Sequence, residues 1–204
     1  MIGLILPMVL ATLLALALGG SLAGWSRQHI HWWPGTLIAI AIQLALFNPP
    51  LNEQPWAIAW GTWIWVASML LVAAVLLRNG VARGATRHAW LVAALGVGLN
   101  ILVVAANDGY MPVAPEASEL VGRPVGAEPG DRLSNVAPRA AETRLAGLGD
   151  GISQPAWLPM ANVVSVGDLI LSGGGAWWAF QATASVRRKQ AFPPVTSGNG
   201  LGSA

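Results

Sequence analysis

Five apolar runs dominate this chain and leave it few ways to fold. They cover Ile2 to Trp25, Trp33 to Phe47, Trp56 to Leu77, Ala89 to Ala106, and Asn162 to about Thr183. The first, third and fifth lie near the ~20 residues that a helix needs to cross a bilayer. Helices suit that solvent because they satisfy their own backbone donors and acceptors. Only 10% of the 204 residues are charged, against roughly 25% in soluble domains. The predicted fold class is therefore an all-α integral membrane protein, a bundle of about five transmembrane helices. The second run is short, but Pro34 suits a first helical turn, and Trp32 and Trp33 flank it as interfacial anchors.

Four of the runs fall in residues 1–106. Residues 107–161 form a long, mostly irregular extracytoplasmic loop, 162–186 a fifth transmembrane helix, and 187–204 a Gly/Ser/Pro-rich cytoplasmic tail that is expected to be disordered. Within the loop, 107–113 and 143–150 mix apolar and turn residues suited to packing on helix ends. Glu116 to Arg139 reads as solvated coil.

Orientation follows from the basic residues. Arg27, then Arg78, Arg83 and Arg87, then Arg187, Arg188 and Lys189 follow the first, third and fifth runs. All seven share one side if the amino terminus is outside and the carboxyl terminus is cytoplasmic. The expected location is the cell inner (plasma) membrane, with multiple passes. The first run has no basic residue ahead of its apolar core and is too long for a signal peptide, so it reads as a retained helix.

Composition also excludes chemistry. With no cysteine, thiolate metal sites, disulfides and cysteine nucleophiles are ruled out. The net charge of +2 carries no continuous basic patch for nucleic acid. His29, His31 and His88 all lie in or beside cytoplasmic loops, so no mid-span histidine offers itself to haem or pigment. Neither cofactor nor metal is expected; the lipid bilayer is the expected partner, with a membrane protein as a further one. Trp56, Trp60 and Trp63 recur at helical spacing and form a ridge on the third run, suited to packing, lipid or a partner subunit.

Asp168 is the lone acid inside any of the runs. A carboxylate in hydrocarbon is costly and usually faces a protein interior, a cavity or a partner. Ser165, Asp168, Ser172 and Gly175 recur at steps of three and four and share one helix face. Ala93, Gly96, Asn100 and Asn107 make a second stripe on the fourth run. Small residues let backbones approach, and Ser or Asn can hydrogen-bond across such a seam. The stripes are expected to pack together, with Asp168 either protonated or accepting hydrogen bonds from Asn100 in a structural role. Counted from Asn162, Asp168 would lie roughly 9 Å below the outer helix end. Asp150, in Leu148-Gly-Asp-Gly-Ile152, precedes the same run. If the chain folds back between them, two carboxylates could share a proton and activate a water.

Several segments together carry a resemblance: Arg78-Asn-Gly80, Gly96-x-x-x-Asn100, Asn107-x-Gly-Tyr-Met-Pro-Val113, Thr143-x-Leu-x-x-Leu-Gly-Asp150 and Ser165-Val-Gly-Asp168. In that order the chain resembles the domain-of-unknown-function 5317 family, small bacterial multi-span membrane proteins, over most of residues 1–185. The resemblance implies a membrane bundle and no activity. The family often places a histidine before the Thr-x-Leu segment; residues 135–142 here contain none. Leu148-Gly-Asp150 and Ser165-Val-Gly-Asp168 also look similar to the paired aspartates of lipoprotein signal peptidase, although that family has four spans and a different order of elements.

Three functions compete. The first is a non-catalytic accessory or scaffold subunit, with Asn100, Asn107, Ser165 and Ser172 as a helix-packing or polar network. The second is a membrane-embedded aspartyl hydrolase with Asp150 and Asp168 as its outer-face dyad. The third is a small proton-coupled transporter, which one buried acid and no internal repeat favour least.

Overall fold

The computed structural model describes residues 2–82, 84–122, 133–159 and 161–186. The expected tail, 187–204, and part of the expected coil, 123–132, lie outside the described residues. Helices dominate: α1 Ile2–Ala17, α2 Ala23–Ser26, α3 Trp33–Leu46, α4 Pro55–Val81, α5 Arg87–Ala106, α6 Pro115–Leu120 and α7 Val166–Ala184. Among the described residues, α4 and α5 are long and apolar enough to cross a membrane. With 14 residues, α3 reaches only about 21 Å at the usual ~1.5 Å rise.

The main packing runs α1 on α7, α7 on α5, α5 on α4, and α4 on α3. These helices thus stand in the order α1–α7–α5–α4–α3, and α1 and α3, separated in sequence only by the short α2, occupy opposite edges. A strap between them, residues 18–32, crosses the end where α1, α4 and α7 finish and α3 and α5 begin. It is tied down along its length. Ser21 N donates to Thr183 O at 2.9 Å, and Trp25 Nε1 donates to Thr183 Oγ1 at 2.8 Å. Asn79 then clasps His31, accepting from its N at 2.8 Å and donating to its O at 3.0 Å.

The first apolar run is therefore not one helix through Trp25. It breaks after Ala17 at Gly19, where φ is +87°, a conformation that glycine adopts without steric cost. At Gly20 an added Cβ would sit 2.7 Å from the carbonyl oxygens of both Ala15 and Thr183, so the strap lies directly on the end of α7.

The segment after α5 is more ordered than its composition predicts. β1 (Met111–Val113) pairs in parallel with β2 (Val136–Pro138), and β3 (Ile152–Ser153) pairs antiparallel with β4 (Val163–Val164). Strands of two or three residues are too short for an alternating pattern to show in sequence. Leu133, expected in solvated coil, is buried with Leu46, Trp65, Val103, Val104 and Met111. It fits against Gly61 of α4, and its N donates to Asn52 O at 2.7 Å. This cap is packed into one end of the helix row.

Much apolar surface faces outward. Trp60 and Trp63 are 64% and 68% exposed, and α1, α3 and α4 each present further exposed Leu or Ile. Trp65, two residues beyond Trp63, points the other way and is buried.

Candidate functional site

The site is built where α7 starts. β4 delivers the chain in extended form to Ser165, the N-cap of α7. Ser165 Oγ accepts from Asp168 N at 2.9 Å, and Asp168 Oδ2 accepts from Ser165 N at 3.2 Å. This reciprocal capping box satisfies donors that the first helical turn otherwise leaves open. It also corrects the depth expected from sequence. The helix begins at Val166 rather than Asn162, so Asp168 lies only about 3 Å along it at the usual rise.

The same two side chains reach α5. Asn100 Nδ2 donates to Asp168 Oδ1 at 2.8 Å, and Ser165 Oγ donates to Asn100 Oδ1 at 2.8 Å. Asn100 and Ser165 are buried. Both oxygens of Asp168 are thus engaged, one by the helix cap and one by the neighbouring helix. The close approach depends on glycines. A Cβ at Gly167 would overlap Asn100 Oδ1 and lie 2.6 Å from Gly96 O, and one at Gly96 would lie 2.5 Å from Gly167 O. Two turns farther along, Gly174, not Gly175, meets α5, at Ala93 and Ala89; Gly175 faces Met8 of α1 instead. Ser172 is buried within α7.

Asp150 arrives from the cap. Its N donates to Pro112 O at 2.9 Å and its O accepts from Ala114 N at 2.8 Å, so its backbone lies along β1 on the side away from β2. The flanking Gly149 and Gly151 make room, Gly149 against Pro112 and Gly151 against the Arg139 guanidinium. Burial first, and then the charge of Asp168, push the pKa of the Asp150 carboxyl up against the opposing charge of Arg139, to about 7. The fold therefore brings the two acids into each other's field. Sequence reasoning missed Arg139, which it placed in solvated coil. Arg139 is partly buried, and its Nε is buried without a hydrogen-bond partner among the described residues. A basic residue in a Pro/Gly-rich stretch carries no signal that it will turn inward.

Asn107 stands apart from this cluster. Its Nδ2 donates to Val103 O at 2.8 Å and to Arg144 O at 2.9 Å, and its Oδ1 accepts from Arg144 N at 2.9 Å. It clasps the Thr-x-Leu segment to the end of α5. Among the described residues, no three His, Asp or Glu side chains converge as a metal site.

A family model matches residues 27–180 of the chain. The chain belongs to DUF5317, a family of unknown function. The DUF5317 match takes in the end of the strap from Arg27, the Asn100–Ser165–Asp168 network, the cap and most of α7. No curated protein and no solved structure matches the chain.

Proposed function

We propose that this DUF5317 member is a five-span inner-membrane protein that serves as a non-catalytic accessory or scaffold subunit. Its amino terminus lies outside, its carboxyl tail is cytoplasmic, and its outer cap and the α4 tryptophan face engage a membrane partner. The observation that carries this reading is the full engagement of Asp168. Both its oxygens accept hydrogen bonds that start α7 and join it to α5, a structural task that accounts for an acid at this position. The outward Trp60 and Trp63 supply aromatic surface of the kind enriched at interfaces. Purification with native lipid tests the reading. A stoichiometric membrane partner should co-purify and be lost on Trp60→Ala/Trp63→Ala; isolation as a lone monomer with its lipid would overturn it.

A second reading is supported by one observation, the proton that Asp150 retains up to about pH 7 beside Asp168. An outer-face aspartyl hydrolase would use Asp150 as the proton donor and Asp168 as the base for a water. Asp150→Asn and Asp168→Asn would each abolish turnover of a membrane-anchored peptide while leaving insertion intact. Normal insertion with no turnover in the unmodified protein would sink this alternative.

A further inference from the structure

Among the described residues, acidic charge is confined to one end of the helix row, which also carries Arg139 and Arg144, whereas the other end is purely basic. Arg27, His29, His31, Arg78, Arg87 and His88 lie where α4 ends and α5 begins. Among the described residues, every acid lies at the opposite end, from Glu53 between α3 and α4 to the acids of the cap and Asp168. The basic end therefore has no protein counter-charge among the described residues.

Within that end one place is built more tightly than the rest. The Asn79 clasp fixes His31 beside Arg78, the residue preceding Asn79. The His29 ring meets His31 edge-on, with centroids 4.6 Å apart. Burial, then the charges of Arg78 and His29, lower the pKa of His31, as expected where positive groups crowd without an anion. Directly after the clasp, Trp32 adopts a left-handed backbone with φ of 58°, a genuine outlier for a bulky side chain. Strain of this kind persists only where its surroundings impose it, and it gathers at ligand sites. Its result is a pair of adjacent tryptophans, Trp32 and Trp33, 60% and 57% exposed. α3 then continues with the exposed apolar side chains of Leu37, Ile38 and Leu44.

We propose that His29, His31 and Arg78, with the Trp32–Trp33 shelf, form a binding site for the headgroup of an anionic phospholipid. The phosphate oxygens accept from the guanidinium and imidazole N–H groups. The indoles sit at the interfacial level they favour, and the acyl chains run along the apolar face of α3. The joined basic, aromatic and apolar surfaces call for an amphiphile rather than a soluble anion. Basic residues at the cytoplasmic membrane surface recognise anionic lipid in this way. The inference rests on the membrane reading above.

The test uses the full-length protein in neutral detergent, titrated with phosphatidylglycerol or with phosphatidylcholine of the same chains, and read by native mass spectrometry. A phosphatidylglycerol adduct should form that phosphatidylcholine does not match. Arg78→Gln should weaken it about fivefold, the worth of one basic residue at an anionic surface. Arg87→Gln, which removes an equal charge at the same end, should leave it unchanged. If Arg78→Gln does not fold, His29→Gln takes its place. Equal binding of the two lipids, equal loss in Arg87→Gln, or displacement by inorganic phosphate or by a poly-glutamate peptide at matched concentration would overturn the site. Carbonate extraction of the expressing membranes separates the two failures. Release of the protein would sink the membrane reading, whereas retention without lipid preference would sink this inference alone.

Discussion

Asn100 and Asp168 join α5 to α7 through a 2.8 Å hydrogen bond, and the second oxygen of the same carboxylate closes the helix cap at Ser165. One carboxylate thereby ties the start of α7 both to its own first turn and to its neighbour.

Asp168→Asn tests that double duty. An amide presents one acceptor and one donor, so in either orientation it sets a donor against Asn100 Nδ2 or against Ser165 N. Leaving a buried donor unsatisfied costs about 1–3 kcal/mol. Ser165→Ala removes the cap oxygen and should cost about 1 kcal/mol. Both variants should insert normally but melt earlier in detergent, and an unchanged melting temperature in Asp168→Asn would show that the network bears no stability.

The pH dependence of stability should trace to Asp150. Unfolded, its carboxyl titrates near 3.8; folded, it holds its proton up to about 7. The native state thus binds the proton more tightly, and the resulting stability is complete below the unfolded value and lost as pH rises through about 7. Melting temperature should fall between pH 5 and 8 in the native protein and fall less in Asp150→Asn. Because Arg139 lowers this pKa, Arg139→Gln should extend the loss to higher pH. Parallel curves for the native protein and Asp150→Asn would count against the assignment.

Asn107 makes three hydrogen bonds, two of them to the backbone of Arg144. At about 1 kcal/mol for each net hydrogen bond, Asn107→Ala should populate local opening of this segment much more often. Arg144 is exposed and offers trypsin a cleavage point. Faster cleavage after Arg144, with the α-helical circular dichroism unchanged, is the expected result. A cleavage rate equal to that of the native chain would mean the clasp is dispensable.

How much of this was legible in the sequence differs by feature. The Asn100–Asp168 contact was, because both residues sit on small-residue stripes with helical spacing in apolar runs. The start of α7 was not: Val163 and Val164 read equally well as strand or helix, and a two-residue strand is too short for periodicity to decide. Leu133 and Arg139 stayed hidden because they turn inward from a stretch without period, and only the groove beside Gly61 and the field of Asp150 explain them. The Asn79–His31 clasp was hidden for another reason. A side chain bonding a distant backbone group leaves no pattern, since any residue at position 31 supplies the same N–H and C=O.

The glycines of the α5–α7 seam give the sharpest contrast. An added methyl at Gly167 meets Asn100 Oδ1 and the Gly96 carbonyl, and at Gly174 it lies 2.6 Å from Ala93 N. Those neighbours include backbone, which cannot rotate away, so the helices must separate and the Asn100–Asp168 bond must lengthen. Gly98 and Gly173 lie in the same two helices with nothing within 4 Å of an added Cβ. Alanine there fills open space and improves helix propensity by up to about 1 kcal/mol. Gly167→Ala and Gly174→Ala should therefore destabilise by about 1–3 kcal/mol, the usual range for overpacking, while Gly98→Ala and Gly173→Ala remain neutral or stabilise. The four melting temperatures, measured in one detergent, decide it: if all four variants behave alike, helix propensity rather than interhelical approach governs these positions.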